Sequence, residues 1–184
     1  MMNKQVISAL TCGFAILSCA NAAEYNSIQA DKSNLAFVYK QMGVPIDGHF
    51  KKYTVQLSFD PAKLTTAKAN LDIDLASIDA GSDEANDEVS GKEWFNTKAF
   101  PHAKFESSNF KSLGTNRYEV TGKMTIKGHT QTVSAPFTLS ATGAVDGAFT
   151  LKRAEYAIGE GSWSDFGTVA NEIQIKFHFL AKPK

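Results

Sequence analysis

The sequence has few cysteines, no excess of charge of either sign, and no long apolar run beyond its first residues. Only Cys12 and Cys19 are present. Both lie in the first 22 residues, so the rest of the chain can form neither a disulfide nor a thiolate metal site. The 19 basic and 19 acidic side chains cancel, which argues against nucleic acid as a partner, because such proteins carry a basic surface. After the start, no stretch is apolar for as long as a membrane helix requires.

The first 22 residues have the features of a secretory signal peptide. Lys4 supplies a basic start, residues 6–17 are mostly apolar, and residues 20–22 (Ala-Asn-Ala) suit a cleavage site. We expect cleavage after residue 22 and a periplasmic or secreted protein with one domain, residues 23–184. Acylation at Cys19 is the less favoured alternative, because the residues before it match a lipoprotein processing site only loosely.

Alternation of apolar and polar residues predicts about eight strands. The clearest case is residues 172–179, where a two-residue period gives one apolar and one polar face. Similar strands are predicted at residues 35–39, 53–59, 69–75, 117–126 and 132–140, near Lys104, and around Phe149 and Leu151. One-sided strands joined by short turns in one domain predict an all-β fold, an antiparallel barrel or sandwich. We favour the barrel, which can hold a ligand inside.

One segment, residues 76–100, interrupts the strands and predicts a short helical insertion. Ser82 suits an N-cap, Asp83 and Glu84 suit the positive end of a helix dipole, and Gly91 can end the helix. The acidic residues lack the alternate spacing and central glycine of a calcium loop, so a solvated helix start explains them better than a metal site.

The same segment carries three large apolar rings, Trp94, Phe95 and Phe100. Rings outside the strands must pack against some apolar surface, which is either the mouth of the barrel or a small satellite core. We expect the segment to cover the barrel, with these rings turned toward its interior.

Motifs for catalysis or metal binding are weak. The four histidines share no short spacing, so a metal site is not expected. Ser162 and Ser164 stand near Asp165, but no histidine is close in sequence and no G-x-S-x-G motif is present. A triad can assemble in space, so a serine hydrolase remains a weak alternative.

Several stretches match a known family in both order and spacing. They are SNLAF (33–37), GHF (48–50), ASIDAG (76–81), WFN (94–96), FPxxxFxS (100–107), VTGKMTIKGHT (120–130) and AEYAIG (154–159). The chain resembles the YceI-like proteins, periplasmic or secreted lipocalin-like barrels associated with polyisoprenoid binding. Asn86-Asp87 departs from the family's frequent Arg-Asp, and Ala157 stands where glycine is common. The first departure leaves the head group of the ligand open.

The resemblance implies a binding protein with no catalytic residue, and we expect neither a metal nor a cofactor. We expect it to bind, transport or store a long apolar amphiphile such as a polyisoprenoid, an isoprenoid quinone or a fatty amide. Transient membrane contact is compatible with this role, and a homodimer is common in the family, although the strand pattern does not require one. A ligand-free envelope interaction module, with a filled interior, is the alternative. The predicted ligand-binding residues are Phe37, Tyr39, Leu71, Ile73, Ile78, Trp94, Phe95, Phe100, Phe105, Tyr118, Val120, Met124, Phe137, Phe149, Ile175 and Phe177.

Overall fold

The computed structural model describes residues 24–184, so the predicted signal peptide and Cys19 lie outside the described residues. In that range the chain forms ten strands, one α-helix and four short 3₁₀ helices. The strands are β1 (Tyr25–Gln41), β2 (Val44–Phe50), β3 (Tyr53–Ser58), β4 (Lys68–Asp74), β5 (Ile78–Asp79), β6 (His102–Gly114), β7 (Arg117–Ile126), β8 (His129–Leu139), β9 (Ala144–Lys152) and β10 (Glu172–Pro183); the helix is α1 (Asp83–Ser90). No helix between residues 24 and 184 is long and apolar enough to cross a bilayer.

The strands form one antiparallel sheet in the order β3-β4-β6-β7-β8-β9-β10-β1-β2-β5. The sheet curls into a half-barrel. Tyr25, at the start of β1, and Phe59, just after β3, exchange two backbone hydrogen bonds of 2.8 Å although their strands are far apart in the sheet order. The predicted all-β, lipocalin-like antiparallel barrel is therefore confirmed, with ten strands where about eight were expected. The additional strands are β2, whose proline and glycine hide the alternation, and the two-residue β5.

The predicted helical insertion is also confirmed. The Ser82 hydroxyl accepts a hydrogen bond from the Ala85 backbone N–H at 3.2 Å, and Gly91 caps the other end of α1. The first part of the predicted segment belongs to the barrel, because β5 pairs with β2. We therefore define the insert as residues 80–101, between β5 and β6, and the closing loop as residues 153–171, between β9 and β10.

An aromatic cluster fills the end of the barrel opposite the insert. The ring of Phe59 lies 5.4 Å from Phe110, 5.2 Å from Tyr118 and 5.7 Å from Phe137, measured between ring centroids. Edge-to-face and tilted packing at these distances is favourable beyond the apolar area that it buries. Since Phe59 is also the residue that bonds to Tyr25, the cluster and the backbone bridge close the same end of the sheet.

Two cross-strand pairs of phenylalanine and glycine keep the rings close to the wall of the barrel. Phe37 pairs with Gly48 of β2, and Phe177 pairs with Gly147 of β9. In both pairs the phenyl ring occupies the space that a Cβ on the glycine would fill. The rings therefore lie over the neighbouring strand, which leaves the centre of the barrel open.

Candidate functional site: an apolar cavity in the barrel

The barrel encloses an apolar cavity of about 550 Å³, a size typical of small-ligand sites. It is bordered by side chains from all ten strands, the insert and the closing loop. The inward residues of β10, from Ile173 to Phe179, are only partly buried although they point into the barrel. Inward apolar side chains in a filled interior would be buried, so their remaining exposure reflects the open space beside them.

The structure places fourteen of the sixteen predicted binding residues around this cavity. For those that lie on strands, period-two placement explains this, because inward and outward positions alternate. The two that do not line it are Phe100 and Tyr118. Tyr118 is buried in the aromatic cluster at the closed end. The expectation that Phe100 turns toward the interior is wrong. Its ring is partly exposed and lies against Gly128 in the β7–β8 turn. Ligand contact by the other fourteen stays a prediction.

Trp94 and the closing loop form the inner surface of the cover. Trp94 is buried and its ring centroid lies 5.4 Å from that of Trp163. Both side chains line the cavity together with Ile158 and Val169. The closing-loop residues were not among those predicted, although Trp163, a large ring in a turn rich in glycine and serine, is the same kind of signal as Trp94 in the insert.

Arg153 holds the closing loop in place. Arg153 is 1% exposed, and its guanidinium donates to five backbone carbonyls. Nε bonds to Ala170, Nη1 to Ile158 and Gly159, and Nη2 to Trp163 and Val169, over distances of 2.7 to 3.2 Å. Burial lowers the pKa of Arg153, but the ordinary value is so high that the charge remains. All five donors are used within the loop, so none is left for a ligand.

The closing loop and the insert are bonded to each other. The backbone carbonyl of Glu93 accepts from the N–H groups of Gly159 at 2.8 Å and Glu160 at 2.9 Å. On its other side, Glu160 accepts from the ammonium of Lys127 at 2.9 Å. This ion pair lowers the pKa of Glu160, first through the hydrogen bond and then through the charge of Lys127. The cover is therefore one connected structure.

The insert is also bonded to the barrel wall. The Tyr39 hydroxyl donates to the Ala80 carbonyl at 2.9 Å, and burial raises the pKa of Tyr39, which keeps the donor protonated. The Asn86 side chain accepts from the Ala80 backbone N–H at 2.6 Å. Asn86, the residue that departs from the family's arginine, thus has a local structural role.

The exposed part of the cavity wall lies mainly beside α1. Among the residues that line the cavity, the exposed ones are Glu84 and Glu88 of this helix, its N-cap Ser82, and Asn70 of β4. The remaining lining is buried or half-buried. The opening therefore carries two carboxylates, while the body of the cavity is apolar.

The candidate catalytic groups lie elsewhere. The Ser162 hydroxyl donates to the Glu93 carboxylate at 2.9 Å, an exposed contact that involves no histidine. Two histidines form exposed pairs with aspartates, His102 with Asp72 and His178 with Asp146, and none of the four histidines lines the cavity. Between residues 24 and 184, no three potential metal ligands come together.

Comparison with known proteins assigns the family. The profile of the YceI-like domain matches residues 27–181. A UPF0312 protein of Pseudomonas putida is 34% identical over 149 residues, which is 77% of this chain and 76% of that protein. The chain belongs to the YceI-like family, as its motifs indicated.

Solved structures show the same fold. Burkholderia cenocepacia BcnA is 45% identical, with a TM-score of 0.82, over 85% of this chain and all of that one. A polyisoprenoid binding domain from Saccharophagus degradans superimposes with a TM-score of 0.61 over 89% of this chain and 99% of that one. At 18% identity, this second match supports the fold alone.

Proposed function

We propose that the protein binds a long apolar amphiphile inside the barrel and carries or stores it in the periplasm. A polyisoprenoid, an isoprenoid quinone or a fatty amide fits this description. The observation that carries the proposal is the cavity itself, about 550 Å³ with an apolar wall, whose exposed lining residues lie mainly beside α1. A binding role is also in keeping with the family and with a related fold that binds polyisoprenoids.

Burial of the tail supplies the binding energy in this proposal. Each CH₂ group moved from water to an apolar site is worth roughly 0.8 kcal/mol, so ten such groups are worth about 8 kcal/mol before the cost of ordering the chain. The tail would extend toward the aromatic cluster around Phe59, and the head group would remain at α1. Selection among tails would then depend on the length and width of the cavity, since its wall offers the tail few polar contacts.

The proposed location follows from the predicted signal peptide, and transient membrane contact follows from the ligand. An amphiphile with a long tail resides in a bilayer, so a carrier must collect it there. Met42 and Val44, at the tip of the β1–β2 hairpin, are 78% and 61% exposed. The Met42 N–H donates to the carbonyl of Thr168 at 2.9 Å, which joins this hairpin to the closing loop beside the cavity.

The two other functions considered from the sequence have less support. A ligand-free interaction module was expected to have a filled interior, whereas this barrel is hollow. The serine hydrolase considered from the sequence would need a histidine beside Ser162, and that hydroxyl bonds to the exposed Glu93 carboxylate. We therefore propose binding rather than catalysis.

Native mass spectrometry of the protein purified from its own host, followed by lipid extraction, tests the proposal. We expect one or a few long-chain species that leave with the organic phase and rebind to the delipidated protein. A protein that carries no lipid and fails to bind added isoprenoid alcohols or quinones would contradict the proposal.

A further inference from the structure

The opening of the cavity has a one-sided charge pattern. Of the described residues that line the cavity, three are charged: Glu84, Glu88 and Arg153. The two carboxylates are exposed on α1 at the opening, whereas Arg153 is buried beneath the closing loop. A head group that remains at the opening would therefore meet negative charge.

The single cation of the lining cannot compensate for this charge. A guanidinium has five N–H donors, and those of Arg153 all bond to backbone carbonyls of the closing loop. The Trp94 ring also covers the guanidinium, with 5.5 Å between the ring centroid and the central carbon. An anionic head group would have to break these bonds to reach the charge, and the carbonyls would lose their partners.

The start of α1 also does not form an anion site. Helix N-termini attract anions through their unpaired N–H groups and their dipole. Here Ser82 already accepts from the Ala85 N–H, and Asp83 and Glu84 stand in the first turn, where they offset the positive end of the dipole. Hydrogen bonds from its own backbone N–H and, secondarily, from the Ser82 side chain lower the pKa of Glu84, so its carboxylate is ionised at neutral pH.

We infer that the site selects its ligand by head-group charge: it takes long-chain amphiphiles with an uncharged head group, such as an alcohol, a quinone or an amide, and rejects anionic ones with the same tail. Glu84 and Glu88 are the residues that discriminate. The inference rests on the proposed function, because it specifies which amphiphiles the same cavity binds.

Three probes with one C20 tail test the selection: geranylgeraniol, its monophosphate and the corresponding amine. Each displaces a fluorescent apolar probe from the delipidated protein, below its critical micelle concentration. We expect the phosphate to bind about ten-fold more weakly than the alcohol, which is ~1.4 kcal/mol and of the size expected for carboxylates a few ångströms away through water. The amine should bind no more weakly than the alcohol.

Paired variants of α1 locate the effect. Glu84→Gln with Glu88→Gln should reduce the difference between alcohol and phosphate to about three-fold or less, by removing the charge at the opening. Asp83→Asn with Asp87→Asn changes the net charge equally on the same helix, but these residues do not line the cavity, so the ten-fold difference should persist. The single change Glu88→Gln, which leaves the first turn intact, gives a second measurement should the double variant fold poorly.

The outcomes separate the inference from the proposed function. If no probe binds, the proposed function is wrong. If alcohol and phosphate bind equally, or the phosphate binds more tightly, the cavity binds amphiphiles but the charge selection is refuted. If the Asp83/Asp87 pair abolishes the difference as fully as the Glu84/Glu88 pair, selection comes from the overall field and not from the opening.

Discussion

The guanidinium of Arg153 lies over the indole of Trp94, with 5.5 Å between its central carbon and the ring centroid. The ring centroid of Phe166 lies 5.1 Å from the same carbon. Arg153 therefore joins the closing loop, whose carbonyls it binds, to the insert, which carries Trp94. A cationic group that lies against aromatic rings, with all its N–H groups bonded to carbonyls, has a structural role. Arg153 therefore holds the cover over the cavity in its shape.

The first prediction concerns this arginine. Arg153→Lys should lower the free energy of unfolding by about 3 kcal/mol or more, because an ammonium has three donors on one atom and leaves buried carbonyls unpaired. Urea unfolding measures the loss. The matched control is Lys152→Arg at the exposed neighbouring position, which should stay within about 0.5 kcal/mol of the parent. An Arg153→Lys protein as stable as the control would refute the structural role.

A second prediction uses a strained position of the closing loop. Ala157 has φ 52° and ψ 39°, a left-handed conformation that costs residues other than glycine roughly 1–2 kcal/mol. Ala157→Gly should therefore raise the stability by about 0.5–1 kcal/mol after the greater chain entropy of glycine in the unfolded state is subtracted. Thermal unfolding reports the gain. Ala154→Gly, in the preceding 3₁₀ helix, is the control and should lower the melting temperature.

The closing loop also shows what the sequence could and could not predict. The strands and α1 were predictable because alternation and helix caps are local signals, and residues such as Ile175 face inward for the same reason. β2 was missed because Pro45 and Gly48 break its alternation. Arg153 was missed because its partners are backbone carbonyls, so no acidic residue marks its position. The outward position of Phe100 depends on the path of the chain after the insert, which no periodic pattern records.

Tyr156 provides a prediction on alkaline pH. The side chain is fully buried and its hydroxyl has no hydrogen-bond partner among the described residues. Burial, and secondarily Glu155, raises the pKa of Tyr156 to about 12. A folded pKa above the unfolded value of about 10 means that the stability is intact below pH 10 and is lost as the pH rises from 10 toward 12.

Tyr156→Phe removes this dependence. At pH 7 the variant should be at least as stable as the parent, and about 1 kcal/mol more stable if no water reaches the hydroxyl, because an unpaired buried polar group is lost. Between pH 9 and pH 11.5 the parent should lose more stability than the variant by about 1–2 kcal/mol, measured by urea unfolding. Parallel losses in the two proteins would show that Tyr156 ionises as readily in the folded state as in the unfolded one.

Contact with a bilayer is a further prediction. Met42→Ser with Val44→Ser should weaken sedimentation with phosphatidylcholine vesicles by roughly ten-fold, because two exposed apolar side chains no longer enter the interface. Phosphatidylcholine is the suitable lipid, since anionic vesicles would repel the acidic α1 beside the opening. Phe100→Ser is the control, because this exposed ring lies against Gly128 in the β7–β8 turn and not on the β1–β2 hairpin. Equal vesicle binding by all three proteins would place the membrane contact elsewhere.

The last prediction tests the cavity through adjacent positions of β10. Ile175 lines the cavity, whereas Lys176 points to solvent on the opposite face of the strand. Ile175→Trp should lower the affinity for geranylgeraniol by at least about ten-fold, because the indole occupies space that the tail requires. The cavity can accept the larger ring, so unfolding should change by less than the ~1–3 kcal/mol typical of overpacking in a filled core. Lys176→Trp should leave binding and stability unchanged. A strongly destabilised Ile175→Trp protein with unaltered binding would mean that the interior around β10 is filled and that the ligand binds elsewhere.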